Sequence, residues 1–314
     1  MSATLIDPEA RATPSTRAKG TSFAGLVGVE LRRLWWRRLT KVVVLAMLAF
    51  VGVTTYTAYT ASTPETLAQR LDQYQQMVRD NERQQQEMQA QLPQMIEQCH
   101  KDEAAQREQS GDPSITFNCE QVGNFQGPTM EQMGIVPPVA DTITATTLSQ
   151  GVFVFAFLAL LLLGSFTAAE FSTGSMGNWL TFQPRRSRVA LSKLAAAVVG
   201  SALLAALGIA LVNLGARAIA TINRPGSDLK LPDPPALAQS VPELMLRCVA
   251  LVVLAGVLGT ALGLILRHTA AIVGTVLAWG VVIEGIAVNS MLQGRLNPWA
   301  GIPNATAFIN KTYT

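Results

Sequence analysis

The amino-acid sequence predicts an all-α integral membrane protein. Of its 314 residues, 49% are hydrophobic and only 14% are charged, and the mean hydropathy is +0.28, which is too apolar for an ordinary soluble domain. Several apolar runs reach the ~20 residues that an α-helix needs to cross the bilayer core. One long polar stretch, residues 61–145, separates the first run from the others. We therefore predict five transmembrane helices and one α-helical insert.

The region before the first apolar run divides into two parts. Residues 1–20 are rich in Ala, Thr, Pro and Arg and predict a disordered tail. Residues 21–40 carry apolar side chains at helical spacing with arginines between them, which predicts an interfacial helix. Its tryptophans would lie at headgroup depth and its arginines toward anionic lipid. The alternative is a charged flank of the first span.

The apolar runs define the remaining segments. The predicted spans are residues 41–60, 149–169, 191–222, 244–266 and 268–291. Residues 223–243 form a Pro-rich loop, and residues 292–314 are too polar for a sixth span. The small residues Gly256, Gly259 and Gly263 in the fourth span predict close helix approach.

Charge counts predict which segments lie in the cytoplasm. Eight Lys/Arg and three Asp/Glu precede Val42, and residues 170–193 hold four Lys/Arg and one acid. Residues 61–145 hold five Lys/Arg and thirteen Asp/Glu. Because positively charged flanks stay inside, the N-terminus and the 170–193 loop are expected in the cytoplasm and the insert outside.

The insert begins with a heptad-like stripe. The stripe consists of Leu67, Leu71, Tyr74, Val78, Met88, Leu92 and Met95. We predict a helix from about Pro64 to Leu92, interrupted by Pro93, that packs on a second helix of the insert or, less favoured, on a partner chain. Residues 110–140 carry Gly, Pro and Asn and predict a loop.

Two of the three cysteines lie in this insert. Outside the cytoplasm, Cys99 and Cys119 favour a disulfide, with two free thiols as the alternative. Cys248 lies in an apolar run and is expected to be an inert buried thiol. The chain has only two histidines, far apart, which argues against a zinc site.

No enzymatic motif was found in the sequence. It contains no Gly-x-x-x-x-Gly-Lys-Ser/Thr nucleotide loop, no Gly-x-Ser-x-Gly elbow and no His-Glu-x-x-His pair. We expect this chain not to be an enzyme, so any energy would come from a partner protein or an ion gradient. Nucleic-acid binding is disfavoured because the basic clusters adjoin apolar spans.

The polar segment between the second and third spans carries an ordered motif. It reads Glu170, Ser172-Thr173-Gly174-Ser175, Trp179-Leu180, Pro184-Arg185-Arg186-Ser187-Arg188 and Lys193. This order and spacing resemble the permease subunits of bacterial ABC exporters of the type-2 family. Glu30-Leu31-Arg32-Arg33 with Arg38 is similar to that family's N-terminal elbow helix, to which Trp35 and Trp36 would also belong.

The resemblance implies that residues 170–190 form a cytoplasmic coupling helix that docks on a separate ATPase subunit. ATP and Mg would be bound by that partner and no cofactor by this chain. The expected coupling interface is Glu170, Phe171, Thr173, Gly174, Met176, Trp179, Phe182, Pro184, Arg185, Arg186, Arg188 and Lys193. Glu170 could cap a short helix or pair with a basic residue. The alternative is a positive-inside loop with interfacial aromatic residues.

The resemblance also implies an assembly in the bacterial plasma membrane. A second copy of the permease, or a homologous permease, would complete the pathway, and lipids would surround it. The family usually has six spans, so we expect that the chain stops short of the sixth, with a genuine five-span subunit as the less favoured alternative. Residues 297–310 resemble the family's external re-entrant segment before the last span. Glu284 could line the pathway or lie near the outer interface.

Two other functions stay open. A non-transporting sensor or scaffold would use the insert to bind a ligand or an envelope partner. A secondary transporter is disfavoured by the lack of internal repeats and the scarcity of intramembrane charge.

Overall fold

The computed structural model describes most of the chain, and all regular structure in the described part is helical. The described residues are 22–111, 116–117, 119, 127, 129–174, 186–226, 229–280 and 300–312, apart from the side chains of residues 90 and 186. The helices are α1 Phe23–Trp36, α2 Arg38–Ala61, α3 Pro64–Ser110, α4 Ala140–Ser172, α5 Arg186–Ile222, α6 Val241–Leu266, α7 Thr269–Leu277 and α8 Gly301–Asn310. The all-α prediction is confirmed for these residues.

Four of these helices, α2, α4, α5 and α6, are long and apolar enough to cross a membrane. They correspond to the first four predicted spans, although α4 starts nine residues earlier than the prediction, at Ala140. The fifth predicted span is described only as far as Gly280, and that part is too short to cross a bilayer. A count of five therefore stays a prediction.

The chain forms two compact units. The described residues of the first lie within Met1–Met47, Val152–Ala206 and Cys248–Ala305, and those of the second lie within Leu48–Gly151, Leu207–Arg247 and Thr306–Thr314. In the first unit, α4 and α6 approach so closely that a Cβ on Gly259 would lie 2.3 Å from the Leu160 carbonyl oxygen. A Cβ on Gly263 would lie 2.6 Å from the Gly164 carbonyl oxygen. The predicted close approach of helices at these glycines is confirmed.

In the second unit, α3 is longer than predicted. It runs for 47 residues, about 70 Å at 1.5 Å per residue, and passes through Pro93 without ending. The prediction that Pro93 interrupts the helix was wrong. Proline removes one backbone hydrogen bond, but the sequence on both sides is rich in Gln, Glu, Met and Ala, which favour helix strongly enough for it to continue.

The heptad stripe is the more buried face of α3, except at one position. Leu67 is fully buried, and the following stripe residues are half-buried as far as Leu92. Met95 is exposed, and the buried face continues through Ile96 instead. A straight helix drifts by about 20° per heptad from a 3.5-residue repeat, so after four heptads the next residue takes over the face.

Described residues between α3 and α4 contact α3 at several points, and packing of the stripe on a second helix stays a prediction. Arg70 Nη1 donates to the Gly134 carbonyl oxygen over 3.4 Å, and a Cβ on Gly127 would meet the Asn81 side chain. Cys99 and Cys119 form a disulfide with a Cα–Cα distance of 5.7 Å, as predicted. The described residues Cys119, Gly127 and Gly134 thus lie against α3.

The last described helix, α8, is bound to the N-terminal end of α6. Arg247 Nη1 donates to the Phe308 carbonyl oxygen over 2.6 Å, and Gln239 donates to the Ile309 carbonyl oxygen. Lys311 Nζ lies 2.7 Å from Glu243 Oε1. Residues 292–314, predicted as an external loop or re-entrant segment, therefore include a ten-residue helix.

Candidate functional site

The first helix, α1, presents one polar residue among apolar ones on its buried face. Leu26, Glu30 and Leu34 follow at four-residue intervals and are all buried. Ser22 caps the helix, since its Oγ accepts from the Gly25 N–H over 3.1 Å. A glutamate buried between two leucines must find partners, because an isolated buried carboxylate is costly.

Helix α1 ends at a sharp break before α2. Arg37 adopts an extended conformation, and its N–H donates to the Leu34 carbonyl oxygen over 3.3 Å. The buried Thr40 hydroxyl donates to the same carbonyl oxygen. These hydrogen bonds fix the break between the two helices, and the Arg37 guanidinium lies over the Phe166 ring of α4.

Glu30 meets its partners in a buried charge cluster, which we define as Glu30, Arg33, Glu170 and Lys193. Lys193 Nζ from α5 lies 3.0 Å from Glu30 Oε1 and also contacts Glu170 Oε2 near the end of α4. Arg33 Nη1 lies 2.9 Å from Glu170 Oε1 and 3.7 Å from Glu30 Oε2. Two carboxylates and two cations from three helices thus form a neutral set.

Burial sets the energetic character of this cluster. Glu30 is 1% exposed, Lys193 3% and Glu170 5%. At such burial the cost of desolvating each charge is similar to the attraction that it gains, so the cluster adds little net stability. Removal of one member, however, leaves an unpaired buried charge, which makes the cluster a strong constraint on how α1, α4 and α5 pack.

One aromatic ring, that of Phe166, lies against the cluster. Lys193 Nζ lies 5.4 Å and Arg37 Cζ 5.3 Å from the centroid of the Phe166 ring, one helical turn before Glu170. Both distances fit cation–π contacts. In the turn between α6 and α7, Arg267 takes a left-handed backbone (φ 54°), and its guanidinium lies 5.3 Å from the Phe171 ring.

The structure brings together only some of the residues predicted as functional. Glu30, Arg33, Glu170 and Lys193 meet, and of the two roles considered for Glu170 the structure shows pairing with basic residues. The coupling-loop residues that lie outside the described part are Met176, Trp179, Phe182, Pro184 and Arg185, with the side chain of Arg186.

Other predicted residues lie at the edges of this region. Trp35 and Trp36 are exposed on α1, and Thr173 and Gly174 are exposed where α4 ends. Gly174 has a positive φ of 68°, a backbone conformation that suits glycine. Glu284, the candidate pathway residue, lies outside the described residues.

Sequence reasoning missed the mutual pairing and the roles of Arg37 and Phe166. One signal was available: charges of opposite sign near the ends of apolar spans need partners, and Glu30, Glu170 and Lys193 are such charges. The sequence does not say which would meet, because Glu30 and Lys193 are 163 residues apart and Arg33 and Glu170 are 137 residues apart.

A second cluster, on α3, resembles a set of metal ligands. One ligand atom each from His100, Glu103 and Cys119 lies within 4.8 Å of the others. The Cys119 sulfur is bonded to Cys99, so it carries no thiolate, and the Glu103 carboxylate is paired with Arg107. We therefore interpret this cluster as the anchor of the disulfide rather than as a metal site.

Comparison with protein families, characterised proteins and solved structures finds no match to this chain.

Proposed function

We propose that the chain is the transmembrane permease subunit of an ATP-driven ABC exporter in the bacterial plasma membrane, with its N-terminus in the cytoplasm. Its loop between α4 and α5 would dock on a separate ATPase subunit. That partner would bind and hydrolyse ATP, and a second permease, identical or homologous, would complete the translocation pathway. The four candidate spans and the sequence motif around this loop support the proposal.

The observation that carries the proposal is the position of the charge cluster. Glu170 lies two residues before the end of α4, and Lys193 lies seven residues after the start of α5, so they flank the proposed coupling loop. Their side chains are in contact with each other and with Glu30 of α1. Both ends of the loop are thereby fastened to one buried point.

This fastening suits the transfer of force from a docked partner. A loop whose flanks are free would absorb a displacement locally. A loop whose flanks share a buried ion cluster would pass it to α1, α4 and α5 together, because unpairing any one charge in the interior is costly. Under this proposal Glu170 and Lys193 position the loop, and the predicted contacts with the ATPase belong to residues 173–188.

Co-purification tests the proposal. The chain is co-expressed with candidate ATPase subunits and captured through a tag on the chain. We expect an ATPase to co-purify with the wild type and Trp179→Asp with Arg185→Glu to abolish its recovery. These changes place charge on the predicted apolar anchor and reverse charge on the predicted basic grip.

The matched control changes the same chemistry on the insert. Met77→Asp with Arg83→Glu alters an exposed apolar and an exposed basic residue of α3, and ATPase recovery should stay at the wild-type level. Undiminished recovery with the loop variant, or equal loss with both variants, would contradict the proposed docking.

The second candidate function, a membrane sensor or scaffold, is favoured by the insert. A 47-residue helix fastened by a disulfide is a large structure to hold beside the spans. The two functions differ in one measurement, made on the complex reconstituted in nanodiscs. A permease should show ATP hydrolysis that depends on transported substrate, whereas a scaffold should show none.

A further inference from the structure

A cavity beside the charge cluster has the composition of an anion site. Its volume is about 240 Å³, and its lining residues come from α1, the α1–α2 connection and the end of α4. They are Arg33, Arg37, Phe166, Ala169, Glu170 and Thr173. Thr173 is exposed and the Arg33 side chain is 34% exposed, so the cavity reaches the protein surface.

Arg37 adds a positive charge to this cavity that the cluster does not balance. The two carboxylates and the two cations of the cluster already neutralise each other. Arg37 Nη1 is buried and has no hydrogen-bond acceptor among the described residues. Its guanidinium rests on the Phe166 ring, which supplies attraction but no acceptor oxygen.

The electrostatics of Arg37 agree with this picture. Arg37 precedes the first span, and burial lowers the pKa of its guanidinium. The Glu170 carboxylate acts in the opposite direction, and the neighbouring Arg33 lowers the pKa further. A bound anion would relieve both the desolvation and the repulsion between the two arginines.

The surroundings of the cavity indicate which anion it meets. Trp35 and Trp36, directly before Arg37, are 70% and 68% exposed, and the first candidate span begins at Arg38. Exposed tryptophans at the start of a span are typical of headgroup depth. Arg37 therefore lies at the level where phospholipid phosphates are the most abundant anions.

We infer that this cavity binds the headgroup phosphate of an anionic phospholipid, with Arg37 as the principal ligand and Arg33 at its edge. A guanidinium can donate two parallel hydrogen bonds to a phosphate, which a lysine ammonium cannot reproduce. The acyl chains would extend along the apolar surface of α2, where Val42 and Leu45 are exposed.

The test measures binding of dioctanoyl phosphatidylglycerol, a soluble short-chain lipid, to the full-length chain in a non-ionic detergent. We expect saturable binding to the wild type and roughly tenfold weaker binding to Arg37→Gln, the loss typical of one charged hydrogen bond. Arg37→Lys should also bind weakly, and it keeps the charge if Arg37→Gln fails to fold.

The matched control is Lys41→Gln. It removes one positive charge a helical turn further on, from an exposed side chain that does not line the cavity. We expect this variant to bind within about twofold of the wild type, since exposed charges contribute little to a specific contact.

Three results would overturn the inference. Binding to Arg37→Gln at wild-type affinity would remove Arg37 from the site. Equal losses in Arg37→Gln and Lys41→Gln would indicate general surface attraction. Competition by inorganic phosphate at the concentration of the lipid would identify a free-phosphate site instead. The assay contains no ATPase, so its failure would leave the proposed transport function standing.

Discussion

Each of the two units holds a cluster of ion pairs, and the two clusters differ in burial. In the first unit, Glu30, Glu170 and Lys193 are almost fully buried. In the second unit, Glu243 pairs with Arg247 over 3.1 Å and with Lys311 over 2.7 Å. Those three side chains are 38%, 19% and 34% exposed.

Ion pairs with similar distances between their charged atoms can thus differ in what they contribute to stability. Water screens the pairs around Glu243 and can replace a lost partner, so these pairs contribute little to stability. Water cannot readily replace a partner of the three buried members, Glu30, Glu170 and Lys193, so each of these depends on the others.

Lys193→Met should give the largest loss of stability. It leaves the carboxylates of Glu30 and Glu170 buried without their shared cation, and removal of one partner from a buried pair costs about 3–5 kcal/mol. Thermal unfolding of the full chain in detergent measures the effect.

A double variant separates charge from packing. Adding Glu170→Gln to Lys193→Met removes one of the stranded charges and should recover part of the lost stability. If Lys193→Met unfolds at the wild-type temperature, the buried cluster does not exist in the form described.

Removal of the disulfide should cause the second-largest loss of stability. Cys99→Ser with Cys119→Ser releases a loop of 20 residues, for which loop-closure entropy predicts a loss of roughly 3 kcal/mol. The loss should be confined to the insert, and hydrogen exchange along α3 measures it. A wild-type chain that alkylates at both positions without reductant would refute the disulfide.

A Gly→Ala substitution at a close helix contact should destabilise the protein more in the first unit than in the second. A Cβ on Gly259 would meet the Leu160 backbone at 2.3 Å, whereas a Cβ on Gly215 would meet the Thr55 side chain at 2.9 Å. Because the Leu160 backbone cannot rotate away as a side chain can, Gly259→Ala should lower the free energy of unfolding by about 1–3 kcal/mol.

The Gly215→Ala variant is the matched case for this packing prediction. Its loss should be smaller than that of Gly259→Ala, since a Thr55 rotamer change can make room. Gly52→Ala, where a Cβ meets nothing within 4 Å, should not be destabilised by a clash. Equal losses of stability in Gly259→Ala and Gly215→Ala would contradict the proposed difference in packing between the two units.

The smallest effect is expected for Lys311→Met. Its partner Glu243 keeps Arg247 and is accessible to water, so the thermal midpoint should not change measurably. A shift as large as that of Lys193→Met would mean that burial does not distinguish the two clusters.

The parts of the fold that depend on local pattern were predictable. Hydropathy and length predicted the four described spans, because a charge-free apolar run of about 20 residues can be recognised without knowledge of its contacts. Periodicity placed the buried face of α3 as far as Leu92, and the spacing of small residues anticipated the approach of α4 to α6. The passage of α3 through Pro93 was not predictable from a rule on a single residue.

Local sequence thus sets the helices and their lengths, their apolar faces, a pair of cysteines and a group of charges near the span ends. Which of these charges meet depends on how the helices pack. Glu30 and Lys193 are 163 residues apart and touch because α1, α4 and α5 pack together, which no local pattern encodes. The same packing leaves Arg37 as an additional cation beside the neutral charge cluster. Hydrogen-bond partners depend on proximity in space and not on order in the chain.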